Sequence, residues 1–206
     1  MKKTTSLVAS LIATASAQYY NITSPPFHLT VTSADGTTNS TLSACHTGAA
    51  LESLCLSTGP PTTSKPDPIA AALFAFNTSI YSQAPAPGLG APGVLTYSLP
   101  SIPPIPSTLF FSYDPTTDIA LPILGPGDEN AQQLAFADDG RLSVQGYVDW
   151  SVSPPNGTGG VREYFRWYAC VTYYSGYQYE ALAWGLGPGK PENPSCVSVD
   201  VRRVFV

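Results

Sequence analysis

The stretch that decides the fold is Tyr164-Phe165-Arg166-Trp167-Tyr168-Ala169-Cys170-Val171-Thr172-Tyr173-Tyr174, then Ser175-Gly176, then Tyr177-Gln178-Tyr179-Glu180-Ala181-Leu182-Ala183-Trp184. β-Branched and aromatic residues dominate both arms, and Ser-Gly between them is a hairpin signal. Side chains alternate across a strand, so the first arm divides into two rows. Phe165, Trp167, Ala169, Val171 and Tyr173 make one row; Tyr164, Arg166, Tyr168, Cys170, Thr172 and Tyr174 make the other. In the second arm Tyr177 and Tyr179 share a face with Ala181 and Ala183, opposite Glu180, Leu182 and Trp184. The row containing Trp167 reads as core. The other is amphipathic, and its tyrosines suit two roles: packing under a loop, the ordinary use, or stacking on sugar. Tyr164, Tyr168, Tyr174, Tyr177 and Tyr179 are therefore the candidate ligand-binding surface.

Outward from this hairpin the pattern repeats. The 21 prolines and 17 glycines interrupt every helical periodicity, and short strand-like runs lie between them. Strands are expected at 27–32, 42–47, 53–57, 70–77, 94–99, 108–113, 117–123, 133–137, 141–149, 161–174, 177–185 and 196–205. Asp138-Asp139-Gly140 marks a further hairpin. Residues 57–68, 83–93 and 100–107 are Pro-rich and expected as surface loops. The reading is an all-β domain, a β-sandwich or distorted β-barrel with long Pro/Gly-rich loops and two disulfides.

Four cysteines, Cys45, Cys55, Cys170 and Cys196, permit three pairings. Cys45–Cys55 and Cys170–Cys196 are favoured because each closes a short loop rich in turn residues. The first pair excludes an unbroken helix over 45–55, which would hold its ends roughly 15 Å apart at 1.5 Å per residue, whereas a disulfide needs Cα atoms within about 7 Å. The segment must reverse, and Gly48 is the expected place.

Lys2-Lys3, the apolar run 7–13 and Ala15-Ser16-Ala17 form the three parts of a secretory signal peptide over 1–17, leaving a single domain over 18–206. Sequons at Asn21, Asn39, Asn77 and Asn156 agree with export and glycosylation. The C-terminal residues carry no long apolar tail, so a released product is expected. Loss of Lys2 and Lys3 leaves seven basic against 14 acidic residues, which argues against nucleic acid or anionic membrane as partner. Arg202-Arg203 reads as a solvated strand face. No metal or other cofactor is expected: C-x-x-C is absent and only His28 and His46 offer imidazole. Gln18, where copper-dependent polysaccharide oxidases begin with histidine, argues against that chemistry. There is no G-x-S-x-G elbow. A hydrolase acting on glycans would need two carboxylates across a cleft, and the candidates are Asp149, Glu163 and Glu180.

Cys45-His46-x-Gly48-Ala49-Ala50 with Leu54-Cys55, Ala169-Cys170 and Pro191-x-Asn193-Pro194-x-Cys196-Val197 together resemble a family of uncharacterised secreted proteins of filamentous fungi. Leu134-Ala135-Phe136 and Gly140-Arg141-Leu142 fit the same pattern. The Ala-Cys strand, its aromatic partner and the Asn-Pro-x-Cys ending are also similar to a fungal cell-wall protein of spore-bearing cells, from which the chain departs at Cys45 and Cys55. These resemblances imply a secreted fungal β-domain held in the wall and bring no catalytic residues. The function expected is a non-enzymatic extracellular or cell-wall glycoprotein contacting wall polysaccharide through tyrosines. The alternatives are the carboxylate-pair hydrolase and a secreted effector or inhibitor that binds a host protein.

Overall fold

A computed structural model describes residues 20–57 and 69–206; the expected signal peptide and residues 58–68 of the first Pro-rich loop lie outside the described residues. Among the described residues fourteen strands occur, beginning with β1 (Ile22–Thr23), β2 (Phe27–Ser33), β3 (Asn39–Gly48), β4 (Leu51–Leu56), β5 (Phe74–Thr78), β6 (Val94–Leu99) and β7 (Ile105–Asp114). There follow β8 (Ile119–Pro126), β9 (Ala135–Phe136), β10 (Leu142–Gly146), β11 (Arg162–Tyr164), β12 (Trp167–Tyr174), β13 (Tyr177–Gly185) and β14 (Val197–Phe205). Eleven of them form one antiparallel sheet, and β9–β11 form a second, smaller one.

The large sheet is ringed without being a regular barrel. Hydrogen bonds run from β2 through β5, β6, β7, β8, β13, β12 and β14 back to β2. Closure on one side is a single pair, Phe27 opposite Phe74. β4 bridges across, pairing with β3, β8 and β13 at once. Short pairings of this kind turn the ring away from uniform strand tilt.

Inside lies one apolar core. The hairpin register sets Trp167 opposite Trp184 and Ala169 opposite Leu182, so this end of one β12–β13 face is inward, while Tyr173 at its turn end, expected as core, is exposed. The two indoles meet edge to face at 4.8 Å between centroids, and Phe111 stacks on Trp184 at 6.1 Å. Trp167 is fully buried, and its indole N–H donates to the Leu142 carbonyl at 2.7 Å. That bond crosses between the sheets, because Leu142 belongs to β10. At the closure point Phe27 packs edge-on to Phe136, which in turn meets Phe76.

The opposite face of the hairpin is covered by the disulfides. Cys45–Cys55 and Cys170–Cys196 both form, with Cα atoms 5.9 and 4.2 Å apart. Cys170 packs with Ile119, Leu121 and Ala183, while Cys45 and Cys55 pack with Tyr179 and Ala181. Each bridge thus pins a neighbouring segment over the second row.

Three further expectations change. The run 161–174 is not one strand: Arg162–Tyr164 pairs with β10, whereas Trp167 onward pairs with β13. One aromatic stretch serves two sheets, so Tyr164 leaves the row of Tyr168. The reversal between the first two cysteines falls at Ala49-Ala50, with Ala50 at φ 56° and a bulge between His46 and Gly48. The extra residue of that bulge moves the turn past the glycine. Lastly, β7 begins inside the expected loop 100–107.

The Arg202-Arg203 doublet is not simply solvated. Arg202 donates to the Asp139 carbonyl at 2.8 Å, and Arg203 lies over the Phe136 ring at 4.4 Å. Together with Arg141 and Asp200 they fasten the 138–141 turn to β14.

Replacing Trp167 with Ala is expected to cost about 3–5 kcal/mol through the cavity it opens. Trp167→Phe removes the indole N–H that donates to the Leu142 carbonyl and should cost about 1–3 kcal/mol. Urea unfolding monitored by the remaining tryptophans checks both, and equal stability of either variant would exclude the clamp described here.

Candidate functional site

The small sheet begins as a support for the loop 83–93. At Gly90 the loop backbone approaches β9 so closely that a Cβ would lie 2.1 Å from the Phe136 carbonyl oxygen, so only glycine fits. The Gly90 N–H donates to Glu163 Oε1 at 3.2 Å, and Gln145 Nε2 donates to the Gly90 carbonyl at 2.7 Å and to the same carboxylate oxygen at 3.4 Å. Two backbone bonds of 2.9 Å between Gly93 and Leu134 fix the loop's other end. The loop is therefore sewn to the sheet, and a pocket of about 240 Å³ remains between them, lined by Pro85, Pro92, Gln133, Gln145, Tyr147 and Val161.

A second excursion, 147–161, rises beside this pocket. Asp149 organises it: Oδ1 accepts from the Ser151 N–H at 3.0 Å and hydroxyl at 2.5 Å, and Oδ2 accepts from Arg162 at 2.6 Å. Paired backbone bonds between Asp149 and Asn156 close its neck. The Ser151 bonds, followed by Arg162, hold the Asp149 carboxyl below the usual range. On this frame Tyr147 is 66 % and Trp150 76 % exposed. Exposed large aromatics on an immobilised turn are the marks of a contact surface.

The tyrosine row is arranged otherwise. Tyr179 is buried, and its hydroxyl donates to the His46 carbonyl at 2.8 Å. Tyr177 is half-buried, edge-on to the His46 ring at 5.2 Å. Tyr168 is half-buried and donates to the Gly189 carbonyl at 3.3 Å, beneath the segment that carries Cys196. Tyr174 packs on the cluster around Cys170. Tyr164, in the small sheet, lies under the Arg166 guanidinium at 4.9 Å and donates to the Val148 carbonyl. Burial, with the Glu52 charge next, pushes the Tyr179 hydroxyl up.

The three expected carboxylates are dispersed. Asp149 and Glu163 hold the two excursions of the small-sheet side, while Glu180 sits half-buried on β13 opposite Val171 in the large sheet. Among the described residues no group of three or more His, Cys, Asp and Glu side chains gathers in metal-binding fashion. Of the sequon asparagines, Asn21, Asn39 and Asn156 are exposed and Asn77 is half-buried on β5.

Glu52 is a feature that sequence reading missed. It alternates with Leu54 and Leu56 on β4 and follows them inward, and burial raises its carboxyl above the ordinary value against a smaller lowering by His46. His46 Nδ1 stands 3.9 Å from Glu52 Oε1, on the solvent side. The signal was available in that alternation. Trp150 was equally legible, since it precedes the turn-rich Ser153-Pro154-Pro155-Asn156-Gly157.

Fold and site together define a two-disulfide, all-β domain with an aromatic excursion. The chain belongs to the family described as a domain of unknown function, DUF7907, which matches residues 24–205. Comparison with curated proteins and with solved structures gave no significant match.

Two outcomes are expected. Because the folded Glu52 carboxyl titrates above its unfolded value, the native chain binds the proton more tightly, and stability falls as pH rises from the ordinary carboxyl range, about 4.3, through the folded value. Glu52→Gln should raise the urea midpoint at pH 8 with the gap closing by pH 4; an equal gap at both would exclude the linkage. Gly90→Ala should destabilise by on the order of 1–3 kcal/mol through the backbone shift it forces, with faster amide exchange at Gly93, and unchanged exchange would deny the close approach.

Proposed function

We propose that this is a secreted, non-enzymatic glycoprotein of the extracellular space or fungal cell wall that contacts polysaccharide, and that contact is made through Tyr147 and Trp150. The observation carrying this reading is the pair of exposed rings on an excursion held by Asp149 and Arg162. Pyranose rings present C–H faces that cover an exposed aromatic plane, and neighbouring amides bond their hydroxyls. Gln133 and Gln145 line the adjoining pocket, their amide nitrogens donating to Tyr20 and to the Gly90 carbonyl. Holding the excursion rigid before binding lowers the entropy lost on contact. Two disulfides agree with an oxidising compartment.

This reading moves the contact surface away from Tyr164, Tyr168, Tyr174, Tyr177 and Tyr179. Their rings are covered or half-covered, and several of their hydroxyls already donate to backbone. The hydrolase alternative draws little support, since Asp149 is held ionised by its partners and Glu163 anchors a loop. A general acid needs the opposite shift.

Sedimentation with insoluble chitin, β-glucan and mannan is the test. Retention on at least one is expected, with Tyr147→Ala, Trp150→Ala reducing it roughly tenfold or more, about 1.4 kcal/mol. The Tyr168→Ala, Tyr177→Ala variant should bind as the parent does. Failure to bind all three, or binding indifferent to Trp150, would overturn the reading; capture of a single plant or animal protein instead would favour an effector.

A further inference from the structure

A groove of about 500 Å³ lies on the outer face of β5, β6 and β7. Its floor follows from register. Ala75 stands opposite Thr96, Thr96 opposite Thr108, and Asn77 opposite Val94, so these side chains share the outward face while Phe74, Phe76, Leu95 and Leu109 face the core. Tyr20 and Leu73 stand at the sides, and Leu73 is half exposed. Thr108 donates its hydroxyl to the Gly127 carbonyl, which draws Asp128 to the rim. The groove is mostly apolar, with hydroxyls at intervals. An uncovered sheet face of that kind is costly in water.

Asn77 is the one sequon asparagine among the groove's lining residues. It heads Asn77-Thr78-Ser79, and its Oδ1 accepts from the Thr96 hydroxyl at 3.3 Å, a bond that Thr96 shares with the Ala75 carbonyl at 3.2 Å. Nδ2, the atom that carries an N-linked sugar, makes no hydrogen bond to any described residue. A sugar attached there starts inside the groove rather than above the surface. The other three sites are exposed at strand ends or turns. Asn156, for example, points its Oδ1 at Thr158 within an open turn.

We propose that Asn77 is glycosylated and that the first N-acetylglucosamine residues of its glycan lie in this groove as a permanent cover for the β5–β7 face. The volume lies within the ~300–1,000 Å³ typical of sites that enclose small molecules. The chemistry matches: the pyranose C–H faces and acetamide methyl meet Ala75, Leu73 and Tyr20, and the sugar hydroxyls meet Thr108, Ser98 and Asp128. Asn77 sits in a strand paired on both sides, with β1 and β6, and Ser79 is buried. Transfer therefore precedes folding, and the strand then closes around the modified residue. This inference rests on the export included in the proposed function but not on polysaccharide contact.

The test is site-resolved mass spectrometry of the full chain secreted by a glycosylating host, followed by release of N-glycans by a peptide amidase from the folded protein. Asn77 should be occupied, and its glycan should be released at least tenfold more slowly than that at Asn156, with equal rates after denaturation. Tyr20→Ala, which removes one wall, should speed release at Asn77 several-fold and leave Asn156 unchanged. Sugar at Asn21 or Asn156 with none at Asn77, or equal release from the folded protein, would overturn the groove assignment while leaving export standing. A secreted chain bare at all four sequons would overturn it together with the glycoprotein reading.

Discussion

The indole of Trp167 touches both sheets at once. Its ring packs against Trp184 within the large sheet, and its N–H reaches the Leu142 carbonyl in the small one. A buried indole without an acceptor would leave a desolvated donor, and a buried strand-end carbonyl without a donor would be equally costly. Each satisfies the other, so the angle between the sheets is set by a bond rather than by surface contact alone. The small sheet carries the pocket and the aromatic excursion, so their position on the molecule is fixed by that bond together with the backbone bonds Arg203 N–H to Gly140 carbonyl and Gly93 with Leu134. The Asp139, Arg141, Asp200 and Arg202 group adds a fastening at the periphery, where exposed ion pairs individually contribute little.

The two faces of the β12–β13 hairpin meet opposite fates for a geometric reason. The Trp167–Ala169 end of one face is enclosed by the ring closing on itself, and Tyr173 at the turn end is exposed. The Tyr face would be open, but the segments tied by Cys170–Cys196 and Cys45–Cys55 lie over it. Tyrosine suits such a secondary layer. Its ring fills space beneath a covering loop, and its hydroxyl satisfies a backbone carbonyl that a leucine would strand, as at His46 and Gly189. The disulfides thereby determine which aromatics face solvent. Among the aromatics that do, Tyr147 and Trp150 belong to a part of the chain that neither bridge covers.

Carboxylates in this molecule serve mainly as backbone anchors. Asp35 accepts from Ser33 and Thr37, which hold its carboxyl down at about 2. Asp114 does the same for Thr116 and Thr117, and Asp149 for Ser151. Repeated Asx turns of this type explain how loops so rich in Pro and Gly become ordered without helices to frame them. Glu52 is an exception, a carboxyl drawn into the core by the phase of its strand.

The alternation of Trp167 with Ala169, the Ser175-Gly176 turn and the Pro and Gly punctuation were enough to read the β class, most strand positions and, by loop length, both cysteine pairs, because those depend on local chemistry and short-range closure. What the sequence left open was which side of each amphipathic row would be roofed. Tyr168 and Tyr147 are chemically the same residue, yet one lies under the Cys196 segment and the other stands in water. Glu163 likewise could have been an acid until Gly90 was brought against it from 73 positions away. Exposure and partnership of this kind arise from long-range closure of the ring and docking of the small sheet, and periodicity along one strand carries no record of what another strand will place above it.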